Sequence, residues 1–149
     1  MQKLTASFFL LSMTILGCTA APADEPVFLS PPGAAADLPF SEAVLVQNTL
    51  YLSGQIGVLP GTLDLVPGGI QPETRQTLEN IQATLERNGA SMDQVVKCTV
   101  MLADITEWDA MNEVYREFFP PPAPARSALG ANGLALGARV EIECVAMVY

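Results

Sequence analysis

The 149 residues contain no histidine, which excludes Ser-His-Asp and Cys-His catalysis and removes the commonest zinc ligand. Acid–base chemistry is left to carboxylates, tyrosines, lysines and bound water. Past the N-terminal stretch the basic residues stand singly, at Arg75, Arg87, Lys97, Arg116, Arg126 and Arg139, and the net charge is −9. Isolated cations on an acidic chain cannot displace counterions from a phosphate backbone, so the composition argues against nucleic-acid binding. The titratable groups with a regular spacing are Lys97, Glu141 and Glu143, each alternating with apolar residues. That alternation places them on the polar faces of strands.

The elements that must carry these residues are legible from period and punctuation. Ala43–Gln47 and Leu50–Gly54 read as short strands joined through Asn48-Thr49. A Gly/Pro-rich loop, Val58 to Gly69, precedes a helix opened by Pro72, with Leu78, Ile81 and Leu85 on one side and Asn88-Gly89 at its end. From Val95 to Leu102 the pattern alternates, with Val96, Cys98, Val100 and Leu102 apolar and Lys97 and Thr99 opposite. Thr106 and Asp109 have the spacing of a capping box for a second helix, whose stripe is Trp108, Met111, Tyr115, Phe118 and Phe119. The proline run Pro120–Pro122 stops it. Two strands follow, Arg126–Ala131 and Arg139–Val148; in the last, Val140, Ile142, Cys144 and Ala146 face one way and Glu141 and Glu143 the other.

The order β-β-α-β-α-β-β implies an α+β sandwich, one sheet with both helices on one face. The other face carries Lys97, Glu141 and Glu143 beside Met101, Val145 and Met147. A face half polar and half apolar predicts burial against other subunits. Lys97 and Glu143 read as partners of each other inside such an oligomer. Cys98 and Cys144 read as small core hydrophobes, with a disulfide between them as the alternative.

Ahead of the domain, the acid-free apolar stretch Leu4 to Gly17 is too short for a membrane span and reads as an export signal, residues 1–23. Two processing sites compete: lipoprotein-type cleavage before Cys18, which would then be lipidated, and ordinary cleavage after Ala23. Residues 24–39, rich in Pro, Ala and Gly, read as a linker to a domain over 40–149. This reading predicts an exported protein, periplasmic or membrane-anchored through a lipid.

Ser53-Gly54-Gln55-Ile56, Pro124-Ala125-Arg126-Ser127 and Val140-Glu141-Ile142-Glu143 together resemble the signature of the RidA (YjgF-type) family of enamine/imine deaminases. Ala110–Tyr115 resembles that family's second helix, and the resemblance spans Phe40 to Tyr149. It implies a chorismate-mutase-like fold with one mixed sheet, a homotrimer with clefts between subunits, and metal-independent hydrolysis of reactive 2-imino and enamino acids to 2-oxo acids and ammonia. It also implies site roles. Arg126 would hold the substrate carboxylate, Glu141 would position the hydrolytic water, and Ser53, Gly54, Phe40 and Asn112 would line or support the cleft. Phe40 stands where the family often has a tyrosine, and Ala128 where it often has a cysteine.

The chemistry is consistent with those residue types. An arginine fork makes two parallel hydrogen bonds to one carboxylate, and a nearby glutamate can order a water and accept its proton. No cofactor is expected. The bland alternatives are a surface ion pair for Arg126, a cross-strand salt bridge for Glu141 and a solvent-facing position for Asn112. A noncatalytic small-carboxylate binder and a protein-interaction trimer are the other functions that the same residues allow. Ribonuclease activity, attributed to some relatives, is disfavoured by the acidic charge.

Overall fold

The computed structural model describes residues 25–30 and 38–149. The expected export signal over 1–23, including Cys18 and both cleavage positions, lies outside the described residues. In chain order the elements are β1 (Val27–Leu29), β2 (Ala43–Val46), β3 (Thr49–Leu52), β4 (Gln55–Ile56), α1 (Ile70–Arg87), β5 (Val95–Leu102), α2 (Trp108–Phe118), β6 (Ala125–Gly130) and β7 (Val140–Met147). They form one sheet in the order β1-β2-β3-β7-β5-β6, with β4 continuing the pairing of β3 along β7. All pairings are antiparallel except β5 with β6, which α2 connects as a crossover. The expected α+β architecture, a mixed sheet with two helices, is the one observed.

The helix-facing side of the sheet is the core. Leu50, Leu52, Cys98, Val100, Leu102, Val140, Ile142, Cys144 and Ala146 are buried there against Leu78, Ile81 and Leu85 of α1 and Met111 and Tyr115 of α2. The alternation seen in the sequence of β7 is realised residue by residue: Val140, Ile142, Cys144 and Ala146 are buried, Glu141, Val145 and Met147 half-buried and Glu143 exposed.

Five expectations need correction. Residues 24–39 are not purely a linker, because the apolar run Val27-Phe28-Leu29 pairs with Leu45, Val44 and Ala43 and becomes an edge strand. The hairpin turns one residue earlier than expected, through Gln47-Asn48, with Gln47 in the left-handed region at φ 53°. Val96 is not in the apolar row of β5: the register shifts between Val95 and Lys97, and the bulge leaves Val96 exposed. Thr106 does not cap α2; the Asp104 carboxylate accepts from the Thr106 amide at 2.9 Å and hydroxyl at 2.7 Å, capping a 3₁₀ turn over Ile105–Glu107 that runs into the helix. Those bonds favour the charged form and lower the Asp104 pKa.

The fifth correction concerns the cysteines. Cys98 and Cys144 are directly opposed in the β5–β7 register, both on the core face, with Cα atoms 4.1 Å apart, and are joined as a disulfide. Packing as separate hydrophobes gives way because cross-strand partners on one face are already at bonding distance. Lys97, meanwhile, donates to the Ser127 hydroxyl at 3.0 Å and the Cys98 carbonyl at 2.9 Å, and not to Glu143, within a single chain.

Candidate functional site

Arg126 lies on β6, the edge strand, in register with Cys98 of β5. Paired residues share a face, so its side chain runs along the helix side of the sheet and meets α2. There Trp108, Asn112 and Tyr115 follow at i, i+4 and i+7 on one stripe of the helix. The guanidinium is stacked on two of them, with Cζ 4.6 Å from the Tyr115 ring centroid and 5.1 Å from that of Trp108. Nη1 donates to Asn112 Oδ1 at 2.6 Å, and among the described residues this is the guanidinium's one hydrogen-bond partner. Asn112 is buried and does not face solvent.

An arginine so held keeps its orientation while four of its five N–H donors remain for a ligand. It faces an open cleft of about 420 Å³ lined by Trp108, Asn112, Tyr115, Phe119, Pro124 and Arg126. The Tyr115 hydroxyl is buried without a hydrogen-bond partner among the described residues, and burial pushes its pKa up to about 12 despite the nearby Arg126. It is a neutral phenol at any physiological pH.

Glu141 belongs to a different cluster. It is in register with Met101 of β5 and Ile56 of β4, on the face opposite the core. Its carboxylate lies against the backbone of Gly54, where a Cβ would come within 2.0 Å of Oε1. A side chain at 54 would push the Glu141 carboxylate out of this position. Ser53, next to it, donates its amide to the Glu42 carbonyl at 2.9 Å and its hydroxyl to the Ser41 carbonyl at 2.6 Å. Phe40, beside Ser41 in sequence, is largely exposed.

The structure thus brings together Arg126 with Asn112, and separately Glu141 with Gly54 and the neighbouring Ser53. It does not bring Arg126 and Glu141 together within one chain, because their strands present them to opposite faces of the sheet. Sequence reasoning placed Trp108 and Tyr115 in a core stripe and missed their stacking on Arg126. The signal was the polar Asn112 interrupting that stripe at i+4.

Comparison with known proteins adds what geometry cannot. The model of a family described as Endoribonuclease L-PSP matches residues 31–148. A goat (Capra hircus) 2-iminobutanoate/2-iminopropanoate deaminase is 47% identical over 113 residues, 76% of this chain and 82% of that protein. The human deaminase of the same name is 45% identical, covering 78% of this chain and 83% of its own. A protein of Arabidopsis thaliana called Reactive Intermediate Deaminase A, chloroplastic, is 37% identical over 88% of this chain and 70% of its own. Among solved structures, Escherichia coli TdcF with bound serine superposes with a TM-score of 0.70 at 32% identity, over 76% of this chain and 91% of that one. RidA from an Antarctic Psychrobacter gives 0.72 at 39%, over 76% and 92%.

These relatives overturn the expectation of export. The goat, human and plant proteins are eukaryotic deaminases, the last named as chloroplastic, and nothing in them points to a signal peptide, a periplasmic location or a lipid on Cys18. The physical reason for the error is that a short apolar stretch ending in small residues carries too little information to assign an address by itself.

Proposed function

Because the chain belongs to the RidA family, whose model carries the description Endoribonuclease L-PSP, we propose that it is an enamine/imine deaminase that converts reactive 2-imino acids to 2-oxo acids and ammonia. The observation that carries this reading is the identity of 45–47% with the named deaminases across most of both chains, with Arg126 oriented and open to a cleft.

In this reading an enamine first tautomerises to its imine. The Arg126 guanidinium, clamped through Nη1 to Asn112, binds the substrate carboxylate through its remaining N–H groups as a bidentate pair. Glu141 orients a water and takes its proton as the oxygen attacks C2 of the imine. The resulting carbinolamine collapses with cleavage of the C–N bond: Glu141 returns its proton to the nitrogen, which leaves as ammonia, while the carbinol O–H proton passes through water to that ammonia as the C=O bond forms. Protonated imine and water give 2-oxo acid and ammonium, and no electron transfer is involved. Imines are already electrophilic, so positioning supplies most of what the site must do.

The opposite facing of Arg126 and Glu141 supports a site completed by a second copy. Arg126, Asn112 and Trp108 of one copy would meet Ser53, Gly54, Phe40 and Glu141 of the next. A homotrimer fits this requirement, since a head-to-tail contact between unlike surfaces closes as a ring. The uncovered sheet face, with Tyr51, Lys97, Thr99, Glu143 and Val145 around an open depression, supports the same assembly. A noncatalytic carboxylate-binding role is the second reading, favoured by the bound serine described for TdcF.

The test is a coupled assay of the purified protein on freshly generated 2-iminopropanoate. Turnover that disappears in Arg126→Ala supports the deaminase. Carboxylate binding without turnover in the unaltered protein overturns it in favour of the binder.

A further inference from the structure

Trp108 is the first residue of α2 and only half-buried, whereas Asn112 and Tyr115, further along the same stripe, are fixed in the core. First turns fray most readily, so the half of the Arg126 stack made by Trp108 needs an anchor outside the helix. Glu107, immediately before it, supplies one. Its carboxylate makes no cap bond to α2 and turns instead to Arg139. Arg139 Nε lies 3.1 Å from Oε1 and 3.0 Å from Oε2, and Nη2 also donates to Oε1.

Arg139 is itself pinned to the sheet. Its amide donates to Oε2 of the buried Glu73 on α1 at 2.8 Å, and its carbonyl accepts from the Ala103 amide, at the exit of β5, at 2.9 Å. A guanidinium fork fixed at the entry to β7 thus grips the residue that precedes Trp108. The Glu107 side chain keeps only 17% of its exposure and the Arg139 side chain 46%, so the contact is at the surface and is not part of the core.

We infer that Arg139 and Glu107 are positioning residues for carboxylate binding: by fixing the first turn of α2 they hold Trp108 over the Arg126 guanidinium. The inference rests on the reading of Arg126 as the carboxylate grip. It goes further in assigning a pair that touches no substrate and acts through Trp108. Its consequence is specific: losing the brace weakens binding and leaves the chemical step, which depends on Glu141 on the opposite face, almost untouched.

The experiment is a kinetic cycle on the purified protein with 2-iminopropanoate. Loss of a cation–aromatic contact at a partly desolvated site is worth about two- to thirtyfold in affinity, so Trp108→Ala should raise KM within that range. Arg139→Gln, which keeps both backbone anchors, should raise KM about three- to tenfold while kcat stays within about twofold, a fraction of the same contact. Arg139→Lys, which keeps the charge and one contact, should recover part of the loss. In the Trp108→Ala background Arg139→Gln should add less than about twofold, since residues acting through one contact are non-additive.

A brace that only stabilised the fold would lower the active fraction, and so apparent kcat, and leave KM alone. That result, or full additivity with Trp108→Ala, overturns the inference. Glu107→Gln gives the same reading should Arg139→Gln not fold, and failure of both to fold marks the pair as structural and overturns it too. An unaltered protein with turnover but an unchanged KM in these variants sinks this inference alone. An unaltered protein without turnover sinks the proposed function, and this inference with it.

Discussion

Replacing Arg126 by lysine separates charge from geometry. The guanidinium makes one bond to Asn112 at 2.6 Å and stacks between Tyr115 and Trp108 while presenting its other donors to the cleft. A lysine ammonium has no plane to stack and cannot serve Asn112 and both carboxylate oxygens in the same geometry. One charged hydrogen bond to substrate is then lost, worth roughly 1.5–3 kcal/mol, which at 1.4 kcal/mol per decade predicts a fall in kcat/KM of about ten- to a hundredfold. Buried Asn112 also loses its partner, so stability should fall by about 1 kcal/mol, toward the low end for an unsatisfied polar group. The assay generates 2-iminopropanoate with an amino-acid oxidase and follows 2-oxopropanoate formation above the spontaneous rate, beside a denaturant titration of each protein. A variant within twofold of the unaltered kcat/KM would refute the bidentate grip. So would a loss of activity fully accounted for by unfolding.

Glu141→Gln keeps size and hydrogen bonding but removes the base, and should lower kcat by about 10²–10⁴-fold with KM changing far less; steady-state kinetics on the same substrate check it. Gly54→Ala places a methyl where the Glu141 carboxylate lies, so kcat should drop by at least about tenfold for a displacement of this kind, and a normal kcat would show that the carboxylate is not used where it stands. Reduction of the Cys98–Cys144 disulfide, whose cysteines are 46 residues apart, should cost roughly 4 kcal/mol in the loop-entropy account, read as the difference between urea titrations with and without reductant. Burial raises the Tyr115 pKa from about 10 to about 12 on folding, so stability is intact below pH 10 and should fall as pH rises through that window, by less than the roughly 3 kcal/mol of the full shift because solvent screens part of it. Tyr115→Phe should remove that part of the alkaline loss in pH-dependent unfolding.

Local patterns were the legible part of this protein. The period of two in β7, and in β5 from Lys97 on, and the helical spacing of Leu78, Ile81 and Leu85 are written in contiguous residues, and each came out with the expected face buried. Features that depend on register between distant segments were not. The disulfide exists because β5 and β7 pair Cys98 with Cys144 directly, and Val96 is exposed because a bulge in the same pairing pushes it out. β1 was hidden in a stretch whose Pro and Ala content reads as linker, and three residues suffice for an edge strand once β2 is there to receive them. The site shows the same division. Arg126 and Glu141 were found from motif resemblance, but that they face opposite sides follows from the registers of β6 and β7 on β5, which pair Arg126 with Cys98 and Glu141 with Met101 and which the sequence does not display. Trp108 and Tyr115 were readable as a stripe, while their contact with a charge 11 to 18 residues further along the chain was not.

Subunit complementation tests the composite site most directly. Arg126→Ala and Glu141→Gln proteins, each inactive alone, are mixed in equal amounts, dissociated, reassembled and assayed on 2-iminopropanoate. If each site takes Arg126 from one copy and Glu141 from its neighbour, random assortment into rings restores about one quarter of the sites, and close to that fraction of unaltered turnover. If both residues act within one chain, every site in every mixed assembly still lacks one of them. Activity that stays at the level of the separate variants after verified exchange would contradict the account.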